Sequence, residues 1–138
     1  EMFLVEKMGF GWEQVHEVAE QIEHIQSPLF LDKMDELLNF PKVDPHGSPI
    51  PDKNGDFELI NYKKLADFNN NATVEICAVI NSSDEFLNFL NLKQLKLGSV
   101  LEIIEVEEFD KSIKVQYNDK VEVFSQMVTN HLLVKQLS

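Results

Sequence analysis

The first 40 residues carry apolar positions at a helical period. Three stretches show it: residues 2–8, which end at Gly9, residues 12–25, and a third stretch that follows Ser27. Ser27 and Pro28 are typical of a helix start, because Ser caps free N–H groups and Pro fits the first helical position. The sequence therefore predicts three helices in this part of the chain.

From residue 73 onward the pattern changes to alternation and short β-rich runs. Asn118-Asp119 is a hairpin signal, and Ser83-Asp84 caps a predicted helix over residues 84–92. The predicted strands are the alternating run around Val74, Ile76 and Ala78, and then residues 100–106, 113–117, 121–124 and 132–137. About five short strands over this length favour a small barrel or an SH3-like sheet.

A Pro- and Gly-rich segment separates the two patterns. Between Phe40 and Asp56 lie four of the five Pro and two of the five Gly, so this segment is neither helix nor central strand. We predict an α+β chain with a helical domain over residues 1–56, a linker over 57–72 and a small β-domain over 73–138.

The negative charge of this chain argues against anionic partners. Its 12 basic residues are all Lys, against 24 acidic residues, and the net charge is -12. Phosphate binding needs a basic surface and favours Arg, so we expect neither nucleic acid nor an anionic membrane as a direct partner. The lone Cys77 excludes an internal disulfide and a Cys-based zinc cluster, which predicts an inert, buried thiol and a cytoplasmic location. The chain begins at Glu1 inside a helical pattern, so we expect its true start upstream.

The segment over residues 12–24 carries the candidate chemistry. His16, Glu20, Glu23 and His24 lie at i, i+4, i+7 and i+8, which places them on one face of a helix. Carboxylate and imidazole ligands suit Mn²⁺, Fe²⁺ or Zn²⁺. The same spacing also occurs on solvated helices, where Glu20 and His24 would form an ordinary surface pair, and the spacing alone leaves both interpretations open.

Signatures of an enzyme are not found. Glu13-Gln-Val-His16 is the Glu-x-x-His unit of di-iron bundles, but a second copy is lacking. The sequence contains neither a Gly-rich phosphate loop nor an HExxH or Gly-x-Ser-x-Gly motif, so we expect no catalytic activity. His46, in the Pro-rich segment, is predicted to be a loop residue that hydrogen-bonds its own backbone.

Two motifs together resemble a known family. The segments V15-H-E-V-A-E-Q-I-E-H24 and F40-P-K-V-D-P-H-G-S-P-I-P51 resemble the metal-dependent transcriptional repressors related to the diphtheria toxin repressor and the manganese transport regulator. Residues 73–137 look like the SH3-like, FeoA-type domain that many members carry. The resemblance implies a helical metal-binding and dimerisation domain followed by an SH3-like β-barrel. The family's N-terminal winged helix-turn-helix, which binds DNA, has no counterpart here.

The resemblance also implies a ligand set. Glu20, Glu23 and His24 fall on the family's metal-ligand positions, and His16 and Glu1 fall on those of a second site. Glu85 is a further candidate, near the point where the SH3-like domain of some members supplies a ligand. Hard oxygen ligands favour Mn²⁺, with Fe²⁺ as the alternative and Zn²⁺ or another divalent ion as a substitute.

The predicted function follows from this resemblance. We expect the metal-sensing and dimerising part of a manganese- or iron-dependent repressor, a homodimer through the helices of residues 2–38 that reaches DNA only through the missing N-terminal domain. The alternative is a non-enzymatic adaptor whose SH3-like domain docks Pro-rich segments such as PHGSPIP.

Overall fold

The computed structural model describes residues 1–52, 54–55, 61–69 and 71–138. The chain divides into two compact units, Glu1–Ile60 with Ser82–Phe89 and Asn61–Asn81 with Leu90–Ser138. The predicted domain end at residue 56, and residues 57–60 and 70 of the predicted linker, lie outside the described residues, and the domain boundaries stay a prediction. In the described part, no helix is both long enough and apolar enough to cross a membrane.

The first unit begins with two short helices, α1 (Met2–Glu6) and α2 (Val15–Ile22), which pack against each other. Leu4 of α1 and Val15 of α2 are buried, at 2% and 0% exposure. Between the helices the chain turns at Gly9, whose φ of +74° lies in the left-handed region that favours glycine. The apolar period of the sequence predicted both helices because each buries one face.

Helix α2 is shorter than the sequence predicts. It ends at Ile22, and the N–H of Ile25 bonds the Ile22 carbonyl at 2.9 Å in a tighter, three-residue turn. The prediction of a helix through Ile25 was therefore wrong at its end. Glu23 is the C-cap and keeps helical backbone angles, with its N–H bonded to the Ala19 carbonyl at 2.9 Å, and His24 lies in the turn that follows.

Helix α3 (Pro28–Leu37) begins where predicted. The Ser27 hydroxyl accepts the N–H of Phe30 at 3.2 Å, which is the expected N-cap. At the other end Asn39 adopts a left-handed φ of 57°, and the N–H of Phe40 bonds the Asp35 carbonyl at 2.9 Å, as in a Schellman cap. No residue of α3 is buried in the isolated chain.

The second unit is built on an antiparallel sheet. The described strands are β1 (Lys63–Lys64), β2 (Thr73–Val79), β3 (Val100–Val106), β4 (Ile113–Tyr117), β5 (Lys120–Phe124) and β6 (Leu132–Gln136), in the spatial order β1-β6-β2-β3-β4-β5. Alternate residues of these strands form the core, and Val74, Leu101, Val115 and Leu132 are completely buried. The alternation in the sequence predicted five of these strands.

Some short elements of this unit were not predicted from the sequence. They are β1, a 3₁₀ helix (Leu65–Asp67) inside the predicted linker, and α5 (Gln126–Thr129). The predicted hairpin is present, because Asn118 and Asp119 both have positive φ, the geometry of a type I′ turn. The predicted helix also has its expected bounds as α4 (Asp84–Leu92), although its residues up to Phe89 group with the first unit, and the α+β class is confirmed.

Candidate metal centre

The Pro- and Gly-rich segment of the first unit folds into a small hairpin. The N–H of Ile50 donates to the Lys42 carbonyl at 2.8 Å, and the N–H of Asp44 donates to the Ser48 carbonyl at 2.8 Å. The chain reverses over residues 45–47, all of which are buried. A segment that reads as a loop in sequence is thus a compact, ordered turn.

Asp44 holds this turn together. Its Oδ1 accepts the backbone N–H groups of His46 and Ser48, both at 2.9 Å. Gly47, next to these donors, has a φ of +88°, which an L side chain would strain. Since both bonds use the same carboxylate oxygen, Oδ2 of Asp44 takes no part in them and is available to a ligand.

His46 is held in one tautomer. Its side chain is buried, and Nε2 lies 2.9 Å from the backbone carbonyl of Trp12. A carbonyl oxygen can only accept, so Nε2 carries the hydrogen, and in the neutral ring Nδ1 is left with a lone pair. The Trp12 indole stacks on the imidazole with ring centres 6.1 Å apart. These contacts fix the orientation of a potential ligand nitrogen.

Glu1 completes the group from the start of α1. Its Oε2 lies 3.5 Å from Nδ1 of His46, and its side chain is 23% exposed. Ligand atoms of Glu1, Asp44 and His46 all lie within 4.8 Å of one another, the one such group found among the described residues. An ion with bonds of about 2.1 Å holds its ligand atoms about 3 to 4.4 Å apart, so small side-chain movements would close this group around a cation.

The chemistry of these atoms also fits a cation. Nδ1 of His46 faces a carboxylate oxygen of Glu1, and such a pair needs positive charge, which either a proton on Nδ1 or a bound cation supplies. A divalent ion supplies that charge. Two carboxylates and one imidazole are therefore a suitable partial ligand set for a divalent metal.

His16 lies beside this group and contacts two carboxylates. Its Nδ1 is 3.3 Å from Oε1 of Glu1, and its Nε2 is 3.2 Å from Oε1 of Glu20. The hydrogen bond that His16 donates to Glu1 and then the charge of Glu20 raise the pKa of His16 above its usual 6.5. Its side chain is 77% exposed, so this is a surface arrangement beside the buried His46.

The predicted ligands are distributed unevenly. Glu1 belongs to the tight group, and His16 and Glu20 are connected to it. Glu23 and His24 are exposed beyond the end of α2, and Glu85 is exposed in the first turn of α4. Within the described part of the chain, these last three do not join Glu1, Asp44 and His46.

Sequence reasoning missed Asp44 and His46. His46 was predicted to bond its own loop, but its ring bonds the carbonyl of Trp12, 34 residues earlier, so that prediction was wrong for the side chain. The sequence Asp44-Pro-His-Gly47 could have indicated this pair. In an Asx turn, the Asp carboxylate and the side chain two residues later lie on the same side of the turn.

Comparison with protein families identifies the first part of the chain. Residues 1–52 match the family described as "iron dependent repressor, metal binding and dimerisation domain". The first part of the chain is therefore similar to that domain. A segment of 51 residues of this chain is 39% identical to the iron-dependent repressors IdeR of Mycobacterium tuberculosis and of Mycobacterium leprae. The match covers 37% of this chain and 22% of those proteins, so the chain spans about a fifth of the length of the curated relatives it matches.

Solved repressor structures extend the similarity to the whole chain. A manganese-dependent transcriptional repressor superposes on this chain with a TM-score of 0.91 at 27% identity. The match covers 99% of this chain and 74% of the repressor chain. The repressor ScaR with bound Zn²⁺ matches 99% and 68% with a TM-score of 0.83 at 26% identity. T. acidophilum IdeR matches 99% and 62% with a TM-score of 0.84 at 25% identity. The predicted SH3-like fold of the β-part is confirmed by these neighbours.

Proposed function

We propose that this chain is the metal-sensing and dimerising part of a transcriptional repressor that responds to Mn²⁺ or Fe²⁺. The observation that carries the proposal is the convergence of Glu1, Asp44 and His46 within 4.8 Å, inside a domain whose family is named for metal binding and dimerisation. Relatives named as manganese-dependent and iron-dependent repressors support the same effector class.

The donor set favours Mn²⁺ as the effector. Two of the three groups are carboxylates and the third is an imidazole, which are the ligands that hard and intermediate divalent ions prefer. No thiolate belongs to the group. Fe²⁺ is the alternative effector, and Zn²⁺ is a substitute, as in the Zn²⁺-bound structure of ScaR.

Each side chain of the group has a separate task in this proposal. Glu1, Asp44 and His46 would hold the ion, through one carboxylate oxygen of each acid and Nδ1 of His46, and the ion would supply the positive charge that the two carboxylates lack. The Trp12 carbonyl keeps the His46 proton on Nε2 and therefore keeps Nδ1 free for the metal. Binding thus ties the start of α1 to the turn after α3, and this link favours one arrangement of the helical unit.

We place a second metal site at Glu20, Glu23 and His24. These exposed groups do not form a closed set in the described part of the chain, so this site needs further ligands. The two carboxylates and the imidazole are again the types that suit Mn²⁺ or Fe²⁺. Glu85 stays a candidate ligand without a partner group in the described residues.

We also propose that the DNA contacts of the repressor lie outside these 138 residues and that the protein acts in the cytoplasm. The chain carries 24 acidic residues against 12 Lys, and a surface of this charge repels the phosphate backbone. The alternative adaptor function is disfavoured, because Pro45, His46 and Gly47 of the PHGSPIP segment are buried in its own turn and only the second half of the segment is exposed.

Metal titration of the chelator-stripped chain tests the proposal. Trp12, the single tryptophan, stacks on His46, so its fluorescence reports binding at this group, and calorimetry gives the affinity. We expect Mn²⁺ to change the fluorescence, and we expect Glu1→Gln to weaken the binding at least about tenfold because an ionic ligand is lost. Glu6→Gln, at the other end of α1, is the matched control and leaves the affinity unchanged.

A second pair of variants separates the metal from the turn. Asp44→Asn keeps an oxygen for the two backbone N–H groups but removes the charge, so it weakens Mn²⁺ binding and preserves the fold. Asp52→Asn is its control, because Asp52 accepts a backbone N–H in the same way at 2.8 Å but lies outside the metal group. Equal Mn²⁺ binding by the wild type, Glu1→Gln and Asp44→Asn would contradict the proposal.

A further inference from the structure

Asn54 is the one asparagine of this sequence that precedes a glycine. Asn54 and Gly55 are both exposed, in a short turn that follows the residues matched to the repressor family. Gly55 has a φ of +82°, and a Cβ built on it would meet nothing within 4 Å, so the space around its backbone is open. The pair thus places a side-chain amide next to an accessible backbone nitrogen.

An asparagine and a glycine in this order can react with each other. The Gly55 nitrogen gives up its proton and bonds Cγ of Asn54, and the side-chain nitrogen leaves as ammonia, so a five-membered succinimide ring forms. Water then opens the ring: cleavage at Cγ gives aspartate, and cleavage at the main-chain carbonyl gives isoaspartate. Water is the only co-reactant, and a residue without a Cβ hinders the attack least.

Asp52 controls how readily the reacting atoms meet. Its carbonyl accepts the N–H of Gly55 at 2.9 Å, and its Oδ1 accepts the N–H of Asn54 at 2.8 Å. The first bond holds the N–H of the attacking nitrogen, and the second closes an Asx turn around it. The attack therefore requires a local opening of this turn, and such openings cost little free energy in an exposed segment.

We propose that Asn54 is a site of spontaneous deamidation and that the turn formed by Asp52 sets its rate. The product has a carboxylate in place of a neutral amide, which adds one negative charge to a chain whose net charge is already -12. Isoaspartate also lengthens the main chain by one carbon, so the Gly55 N–H no longer lies opposite the Asp52 carbonyl. The modification therefore opens the turn irreversibly.

This site is separate from the candidate metal centre. Neither Asp52 nor Asn54 belongs to the group formed by Glu1, Asp44 and His46. The inference therefore does not depend on the proposed function, and its test needs no metal.

Peptide mapping by mass spectrometry, after incubation of the folded chain at mildly alkaline pH, tests the inference. We expect the peptide that contains Asn54 to gain the mass difference between NH₂ and OH and to become a substrate of protein isoaspartyl methyltransferase. Asn54→Gln is the control at the site, because its longer side chain would have to form a six-membered ring, and it should stay unmodified.

Asn118 is the internal control in the same sample. It also lies in an exposed turn, but the next residue is Asp119, whose Cβ hinders the attack, and its side-chain amide donates to the Gln94 carbonyl at 3.5 Å. We expect Asn118 to react more slowly than Asn54.

Two variants of Asp52 test the role of the turn. Asp52→Ala removes the Oδ1 acceptor, so the turn opens more often, and we expect Asn54 to react roughly two- to tenfold faster, the range that follows from the loss of one hydrogen bond. Asp52→Asn keeps an oxygen acceptor and loses only the charge, so we expect the wild-type rate. The wild type unfolded in urea, which lacks the turn, should react faster than the folded chain.

Three results would contradict the proposal. An Asn54 that reacts only in the unfolded chain would show that the fold blocks the site. Equal rates in the wild type and Asp52→Ala would show that the turn does not set the rate. Faster reaction of both Asp52→Ala and Asp52→Asn would assign the effect to the charge of Asp52 and not to its hydrogen bond.

Discussion

Burial gives two polar side chains of this protein a definite chemical state. His46 is buried against Trp12, and one hydrogen bond to a carbonyl decides which ring nitrogen can ligate. Tyr117 of β4 is 4% exposed, and its hydroxyl donates to the Lys93 carbonyl at 2.9 Å. In each case a backbone carbonyl accepts a hydrogen bond in place of water, and for Tyr117 burial favours the neutral hydroxyl.

The stability contributed by Tyr117 depends on pH. Burial, followed by the charge of Glu122, raises the pKa of Tyr117 from 10.0 to about 12. An acid whose folded pKa is raised contributes its full stability below the unfolded pKa of 10.0 and loses it as the pH rises towards 12. We therefore expect Tyr117→Phe to cost about 1 kcal/mol at neutral pH, for the lost hydrogen bond, and less above pH 10.0.

Urea unfolding of the wild type and Tyr117→Phe at neutral pH and at about pH 11 measures this difference. The gap in unfolding free energy should shrink at the higher pH, because the wild type alone loses the neutral hydroxyl. A gap that stays constant or grows would show that the hydroxyl is not shielded from titration. Tyr62→Phe is the comparison for the second tyrosine, whose pKa is also raised by burial.

At the scale of elements, capping decides where the helices of the first unit begin and end. Helix α3 begins at a Ser27 cap, whereas α2 ends at Ile22 without a glycine or an asparagine to close it. Glu23 keeps helical backbone angles as the C-cap of α2, whereas His24 lies in the tighter turn that follows it.

Removal of the α3 cap tests this account. We expect Ser27→Ala to lower the stability of α3 by about 1 kcal/mol, because the N–H of Phe30 loses its acceptor. Amide hydrogen exchange in α3 is the measurement, since the loss is local to a helix with no buried residue. Ser125→Ala is the control: Ser125 precedes α5 but its side chain makes no cap bond. Unchanged protection in α3 would contradict the assigned cap.

For the whole molecule, the unburied helix α3 points to association of two chains. Apolar side chains on and after α3 are exposed in the single chain: Leu29 at 72%, Leu37 at 59% and Phe40 at 65%. Several exposed apolar side chains on and after one helix are typical of a protein interface, and the matched domain is named for dimerisation. We propose that this surface joins two copies of the chain.

Sedimentation equilibrium tests the proposed dimer. We expect the wild type to have twice its chain mass of 15.9 kDa, and Leu37→Glu to be a monomer because two carboxylates would be buried in the interface. Phe109→Glu is the matched control, since Phe109 is 94% exposed in the turn between β3 and β4 and should leave the dimer intact. A monomeric wild type, or a dimeric Leu37→Glu, would contradict this arrangement.

Much of the fold was predictable because its signals are local. Strands β3 and β4 and helix α4 have the bounds that the sequence predicts, since each depends on the period of its own residues. Strand β1 and helix α5 were not predicted. A two-residue strand such as β1 exists only because β6 lies beside it, and no local pattern specifies that pairing.

The sequence by itself determined the order of the helices and strands, the β4–β5 hairpin, the resemblance to metal-dependent repressors and the presence of enough carboxylates and imidazoles for a divalent ion. Only the tertiary structure decided which of these carboxylates and imidazoles lie close together. Glu1 lies more than forty residues before Asp44 and His46, and their contact depends on the packing of α1 and α2 and on the turn that Asp44 closes. Periodicity and capping act over a few residues, whereas a metal site is made by side chains that folding brings together from distant parts of the chain.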